Sequence, residues 1–315
     1  MTRTKPGARV HAVVVSYRPD LLILSALLEA LAPQVAVIQL VDNTQVEDTR
    51  VADLVQQLDL PALRLQRLGN NYGIARAINL GAQAAWTDGA SHILLSDQDS
   101  LPSPDMVRNL LRIEAELRAR GELVGAVGPT YTDTHTGITF PFQVDVPGKF
   151  FYGHVRPSAE VPVVEALSLI TSGTLISSAA WTAIGPMRED FFIDHVDIEW
   201  SHRARATGLK LFGTYNATMG HRMGDDQLRV WYFGWRRENA YSPLRVYYRT
   251  RNFIALCRLS FMPARWKWRN GWYCAGVVYS QVFYGRQRGA ALRMALRGLW
   301  DGLRDRLGPF HANEV

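Results

Sequence analysis

Two carboxylates one residue apart, Asp97 and Asp99 in Asp97-Gln98-Asp99, follow directly on the apolar run Ile93-Leu94-Leu95. Hard oxygen ligands at the carboxyl end of a strand suit Mg²⁺ or Mn²⁺, ions that keep waters and bridge to substrate phosphates. An Asp-x-Asp alone is also what a solvated turn capping a helix looks like, so its place after a buried strand is what favours a site. Farther on, Asp194, His195, Asp197 and Glu199 punctuate the apolar stretch Phe191 to Trp200. Several ionised groups in apolar surroundings are costly unless paired or employed, and a carboxylate facing a hydroxyl can serve as general base. The plainer alternative is a helix with an acidic first turn, backed by Arg203 and Arg205. His221, in His221-Arg222-Met223-Gly224-Asp225-Asp226, offers an imidazole that could complete a metal site with the carboxylates, although a lone histidine is more often structural. Asn71-Tyr72-Gly73-Ile74-Ala75-Arg76 places a turn glycine at a helix start. Such a terminus can receive a phosphate or a sugar, or serve only as a turn with close packing.

The elements that must carry these residues read as α/β. Val10 to Ser16 is a buried first strand, and Asp20 caps a helix with Leu21, Leu24, Leu27, Leu28 and Leu31 at helical spacing, ended by Pro33. Val35 to Val41 is a second strand, closed by Asp42-Asn43-Thr44, and Leu63 to Leu65 a third, with a helix through Val51, Leu54, Val55 and Leu58 between them. Helices follow from Ile74 and from Met106 to Arg118, with strands at Ile93 to Leu95 and Val124 to Val127. This alternation specifies a mostly parallel sheet with crossover helices. Tyr131 to Pro162, rich in Gly, Pro and Thr without a clear period, reads as an insertion or flexible loop.

Hydrophobic residues at 47% and charged residues at 20% exclude a disordered or multi-spanning chain. Cys257 and Cys274 make no disulfide framework and have no metal-ligand neighbours, which fits a reducing compartment. No apolar stretch reaches the roughly 20 residues a membrane span needs, so the expected location is cytoplasmic or peripheral on the inner face of the membrane. From Leu244 onward there are 13 Lys/Arg against 3 Asp/Glu, a net of +10, while the preceding residues hold 22 against 26, a net of −4. That basic segment mixes arginine with Trp266, Trp268, Trp272, Tyr273 and Trp300, and Arg293, Met294, Leu296, Arg297, Leu299, Trp300 and Leu303 show helical amphipathicity. Aromatics beside cations suit an anionic membrane surface; a dimer surface or a helical cap are the alternatives. Nucleic acid is not expected, because no recognition motif accompanies the charge.

Taken in order, the chain resembles the family 2 glycosyltransferases, and among them the bacterial rhamnosyltransferase branch. The resemblance rests on Val13 to Tyr17, Val41-Asp42-Asn43, Asn71-Tyr72-Gly73 through Asn79, Ser96 to Ser100, Thr171-Ser172-Gly173-Thr174-Leu175-Ile176, Asp194 to Trp200, His221 to Asp225, and Pro243 to Asn252. It implies a GT-A fold, a Rossmann-like αβα sandwich, over residues 1–243, with a nucleotide-sugar half near 8–128, an acceptor half near 129–243 and a basic helical extension over 244–315. Ser16, Tyr17 and Asp42 would then hold the nucleotide base and ribose, with Asn71, Gly73, Arg76 and Asp97 also on the donor. Asp99, with Asp97 and His221, would bind the metal. Asp197 would be the base of an inverting transfer; Asp194 and Glu199 are the alternatives, because the Glu-Asp pair common in the family is absent. The branch implies L-rhamnose carried by dTDP and a glycan or lipid-linked acceptor in bacterial surface polysaccharide synthesis. Two other readings stand beside it. A Mg-dependent nucleotidyltransferase would need a glycine-rich, Lys-containing loop that Val15 to Asp20 lacks. A non-catalytic glycan-binding relative would have lost an acidic motif.

Overall fold

The computed structural model describes residues 7–134, 137–221 and 227–311. In chain order, β1 (Val10–Ser16), α1 (Leu21–Leu31), β2 (Val37–Gln45), α2 (Arg50–Leu58), β3 (Leu63–Gly69), α3 (Ile74–Thr87) and β4 (His92–Asp97) form the first half. β1 is buried along its whole length, as a strand covered by helices on both faces must be. Asp20 caps α1 as expected, its Oδ1 accepting the Leu22 and Ile23 amides, and Leu24, Leu27, Leu28 and Leu31 turn inward. On the other face α3 packs through Ala75, Ala77, Ile78, Gly81 and Ala82. A methyl at Gly81 would lie 2.5 Å from a Val13 methyl, so this helix sits as close to the sheet as a backbone can.

The remaining strands are β5 (Ser100–Pro102), β6 (Val124–Asp133), β7 (Phe142–Val144), β8 (Gly153–Val155), β9 (Val163–Ala166), β10 (Leu175–Ser177) and β11 (Lys210–His221), with β12 (Gln227–Trp231) and β13 (Trp235–Asn239). Helices α4 (Met106–Ala119), α5 (Ser178–Ile184) and α6 (Val196–Ala206) lie among them. Among the described residues the main sheet has nine strands in the order β3-β2-β1-β4-β10-β6-β11-β5, with β9 also on β11. β1 pairs in parallel with β2 and β4, and β11 with β6, whereas β10, β5 and β9 run antiparallel to their neighbours. Separate apolar clusters fill the two faces: α1 and α4 on one, α3, α5 and α6 on the other.

Two segments differ from the sequence expectation. β2 runs on through Asp42-Asn43-Thr44 to Gln45 instead of closing there. The stretch 131–162 is not a featureless loop: it holds the end of β6 and the antiparallel pair β7–β8. Phe142 anchors that pair against Gly213, where a methyl would come within 2.5 Å of the ring. Strands of three residues are too short to show a period, which is why the pattern hides them.

Three helices follow among the described residues: α7 (Pro243–Arg258), α8 (Ala264–Tyr284) and α9 (Arg288–Leu303). The amphipathicity of α9 is inverted. Ala291, Ala295, Gly298 and Gly302 face inward, and a methyl at Gly298 would lie 2.5 Å from the Tyr247 carbonyl oxygen of α7. Leu292, Leu296, Leu299 and Leu303 face out. Of the aromatics expected at an interface, Trp268, Trp272 and Trp300 are exposed, but Trp266 is not: it is buried against His202 and Phe253. No helix among the described residues is long and apolar enough to cross a membrane.

Candidate active site

A cleft of about 1020 Å³ opens at the carboxyl ends of β1 and β4. The strand order reverses between these two strands, since β2 and β3 lie on one side of β1 and β4 on the other, and such a switch point is where open α/β sheets bind ligands. Asp97, the last residue of β4, pairs across the sheet with Val15. Asp99 follows in the turn, and His221 is delivered by the far end of β11, where it pairs with Ser100. One ligand atom from each of Asp97, Asp99 and His221 lies within 4.8 Å of the others. His221 Nδ1 is 3.5 Å from Asp99 Oδ1 and 2.9 Å from Ser100 Oγ. Ser100 Oγ is in turn 2.5 Å from Ser172 Oγ, which accepts the Asp97 amide at 3.1 Å. The Thr171-Ser172-Gly173 motif therefore supports the cluster from behind. Gly173, at φ +79°, is required there because a methyl would meet Pro129 at 2.5 Å. Residues Arg222 to Asp226, the rest of the motif that His221 opens, lie outside the described residues.

Burial pushes the Asp97 carboxyl up to about 7, the charges of Asp99 and Asp197 add to the effect, and Arg245 opposes it. Carboxylates that crowd one another in this way, with an imidazole alongside, fit a divalent cation. Across the cleft Asp197 sits at the start of α6, its Oδ1 accepting the Ile198 amide at 2.8 Å. Burial lifts it to about 6, against that hydrogen bond and with help from the charge of Asp194. The two alternatives are committed elsewhere. Asp194 is buried, which raises its carboxyl, but Arg245 (2.7 Å) and Arg249 (3.0 Å) bring it below the ordinary range. Glu199 is buried off the cleft in a two-pronged pair with Arg203 at 2.9 Å. Among the described residues Asp197 enters no ion pair.

The segment before Asp197 is strained. Phe192, Asp194 and His195 all have φ near +64°, a region that L-residues rarely adopt. Arg251 and Asn252 of α7, both fully buried, hold it there. Arg251 donates to the carbonyls of Asp190, Phe191 and Gly308, and the Asn252 amide nitrogen to those of Phe191, Ile193 and Asp194. From the other side Gly73, at φ +85°, lets α3 approach: a methyl would lie 2.6 Å from the Phe192 carbonyl oxygen, which accepts the Ile74 amide at 2.8 Å.

Residues 6–233 match the glycosyltransferase-like family 2. The chain is a family 2 glycosyltransferase. It is 30% identical over 258 residues, 82% of either chain, to the dTDP-rhamnosyl transferase RfbF of Shigella flexneri. It is 29% identical over 173 residues, 52% of this chain and 60% of the relative, to an uncharacterized protein of Mycobacterium tuberculosis. The fold of the transferase is shared with two solved structures. GalNAc-T7 with UDP, GalNAc and Mn²⁺ aligns at TM-score 0.56 and 12% identity, over 88% of this chain and 58% of the other. S. aureus TarS 1–349 aligns at 0.50 and 13%, over 95% and 82%.

One side of this transferase's cleft is walled by Val15, Tyr17, Asn43, Asn71 and Gly73. Because side chains alternate along a strand, Ser16 and Asp42 point away and lie buried behind this wall. Asp42 Oδ1 takes the Thr44 amide there, and Arg67 stands 3.6 Å from its other oxygen. Arg76 is exposed and covers the Tyr72 ring at 4.8 Å, off the cleft. Two residues on this side were not singled out from sequence. Gln98, between the two aspartates, clamps the Tyr17 backbone, accepting its amide at 2.7 Å and donating to its carbonyl at 3.3 Å. Asn43 donates to Asn71 Oδ1 and the Gly73 carbonyl and accepts the Tyr72 amide, so it sets the turn before α3.

Proposed function

We propose that this enzyme transfers L-rhamnose from dTDP-rhamnose to a glycan or lipid-linked glycan, with inversion, in bacterial surface polysaccharide synthesis at the cytoplasmic side of the membrane. The donor rests on the 30% identity to the Shigella flexneri dTDP-rhamnosyl transferase. The chemistry rests on one observation above all: the Asp97-Asp99-His221 group faces Asp197, whose pKa of about 6 suits a base near neutral pH. Tyr17, Asn43, Asn71 and Gly73 hold the nucleotide, supported from behind by Ser16 and Asp42. Asp97, Asp99 and His221 would hold Mg²⁺ or Mn²⁺, which when bound offsets charge developing on the departing diphosphate. Asp197 takes the proton of an acceptor hydroxyl as that oxygen bonds to the anomeric carbon. The bond from that carbon to the diphosphate breaks on the opposite face, and dTDP leaves. Arg245 and Arg249 hold Asp194, and through it the segment that carries Asp197.

Calorimetry with dTDP and UDP, with and without Mn²⁺, on wild type and Asp99→Ala, tests this reading. Metal-dependent dTDP binding that the substitution removes is the expected result. Binding of neither nucleotide would overturn it, and transfer from UDP-glucose but not dTDP-rhamnose would replace the donor.

A further inference from the structure

The β12–β13 hairpin reads Trp231-Tyr232-Phe233-Gly234-Trp235-Arg236-Arg237 around its turn. Phe233 is 98% exposed and sits at φ +55°, while Trp231 and Trp235 are about half exposed on either side. A soluble surface gains nothing from an aromatic ring held fully in water on a tight turn. The hairpin is nonetheless firmly mounted. Tyr232 Oη donates to the Gly276 carbonyl of α8 at 2.9 Å, and its ring meets Tyr279 at 5.3 Å. Tyr279 in turn touches Phe283, another exposed ring, at 5.0 Å. The tip and this flank of α8 thus form one aromatic surface. The roots of the hairpin, Gln227, Leu228 and Asn239, line the catalytic cleft. At roughly 3.3 Å per strand residue, the tip stands about 15 Å from that cleft.

We propose that this tip inserts into the headgroup layer of an anionic bilayer and sets the mouth of the cleft against the membrane. Arginines Arg229, Arg236 and Arg237 surround the aromatics, with Glu238 the single acid between 227 and 239, and Arg229 stacks on Trp235 at 4.6 Å. Arg286 and Arg288 follow at the end of α8. Rings at the tip with arginines behind them match the two layers of a membrane interface, apolar boundary and anionic headgroup. A protein partner is disfavoured by size, since one narrow turn offers far less than the roughly 1,200–2,000 Å² of a stable interface. That the membrane presents a lipid-linked acceptor rests on the function proposed above; the bilayer contact does not.

The test uses the full chain with vesicles of phosphatidylcholine alone or mixed with phosphatidylglycerol. Wild type is expected to bind the anionic vesicles, with tryptophan emission quenched by lipids brominated along the acyl chain. F233S/W235S is expected to bind about tenfold more weakly or worse and to lose the quenching, while its dTDP affinity stays that of wild type. R236Q/R237Q is expected to weaken binding and flatten its dependence on phosphatidylglycerol. Undiminished vesicle binding by F233S/W235S would overturn the proposal. So would a wild type that ignores both vesicles but self-associates through the tip, with the double variant monomeric in sedimentation. Failure of dTDP binding in wild type would strike the donor reading instead, leaving the vesicle result to stand or fall by itself.

Discussion

A base that takes a proton from a sugar hydroxyl works best when its pKa lies near the working pH, and burial brings Asp197 to about 6. In the proposed reaction Asp197→Asn lowers kcat by about 10²–10⁴-fold and leaves calorimetric dTDP affinity nearly unchanged; retained turnover would move the base to another carboxylate. The protonated form cannot accept a proton, so kcat/KM of wild type should fall about tenfold per pH unit below about 6. Asp97 makes a different prediction because its raised pKa is a cost to the fold. Between the ordinary 3.8 and about 7 the folded protein holds a proton that the unfolded chain has released, so stability drops as pH rises through that window. Asp97→Asn removes the cost. In thermal melts without metal it should raise Tm at pH 8 by about 2–4 °C or more and have little effect at pH 4. Equal melts at pH 8 would show that Asp97 is not strained, and loss of metal-dependent dTDP binding in the same variant would tie the cost to function.

At the scale of elements, the strained segment 192–195 is held by a helix that begins some 50 residues later. Asn252→Ala removes three hydrogen bonds, taking this donor from the carbonyls of Ile193 and Asp194 while that of Phe191 keeps Arg251. It should cost about 3 kcal/mol in chemical denaturation, taking about 1 kcal/mol or more per lost partner. It should also lower kcat more than it raises the KM for donor, since it displaces the segment before Asp197 rather than the nucleotide wall; a pure stability loss with normal kcat would refute that coupling. This dependence also shows where sequence reading stops. β1, the Asp20 cap, α3 and the strand leading into Asp97-Gln98-Asp99 were legible, because each is a local pattern of apolar period and cap. The approach of His221 to Asp97 and Asp99 was legible as chemistry, since those residue types together suit one task. The pairing of Asp194 with Arg245 and Arg249, and the grip of Arg251 and Asn252, were not. The run Pro243 to Asn252 carries part of the family resemblance, but which carboxylate and carbonyls its side chains meet is supplied only by the fold. Gln98 was hidden for another reason: a metal motif leaves its middle position blank, while here that side chain holds the first strand's end. The β12–β13 turn, aromatic and cationic at once, carried no helical period and drew no attention.

For the molecule as a whole, the basic helices after residue 243 complete the catalytic region. A fragment ending at 243 would lose both arginines that hold Asp194 and, through it, the strained segment 192–195. It would also strip Ala255, Leu256, Met262 and Trp266 from the core. Against a total stability of roughly 5–15 kcal/mol, such a fragment should lack a cooperative melt and near-ultraviolet dichroism. A well-folded fragment that binds dTDP would show instead that the first 243 residues stand alone. The reach of Arg251 to Gly308 has a consequence for biogenesis. Gly308 takes a hydrogen bond from Arg251 through its carbonyl and gives one from its amide to the carbonyl of Asp190. Chains emerge amino end first, at about 5–20 residues per second. The sheet can therefore form on the ribosome well before the segment leading to Asp197 is locked, and a nascent chain stalled short of residue 308 should be folded in its first half yet inert. In the proposed reaction, competence should therefore arrive only after residues 243–308 have left the ribosome and locked the segment before Asp197.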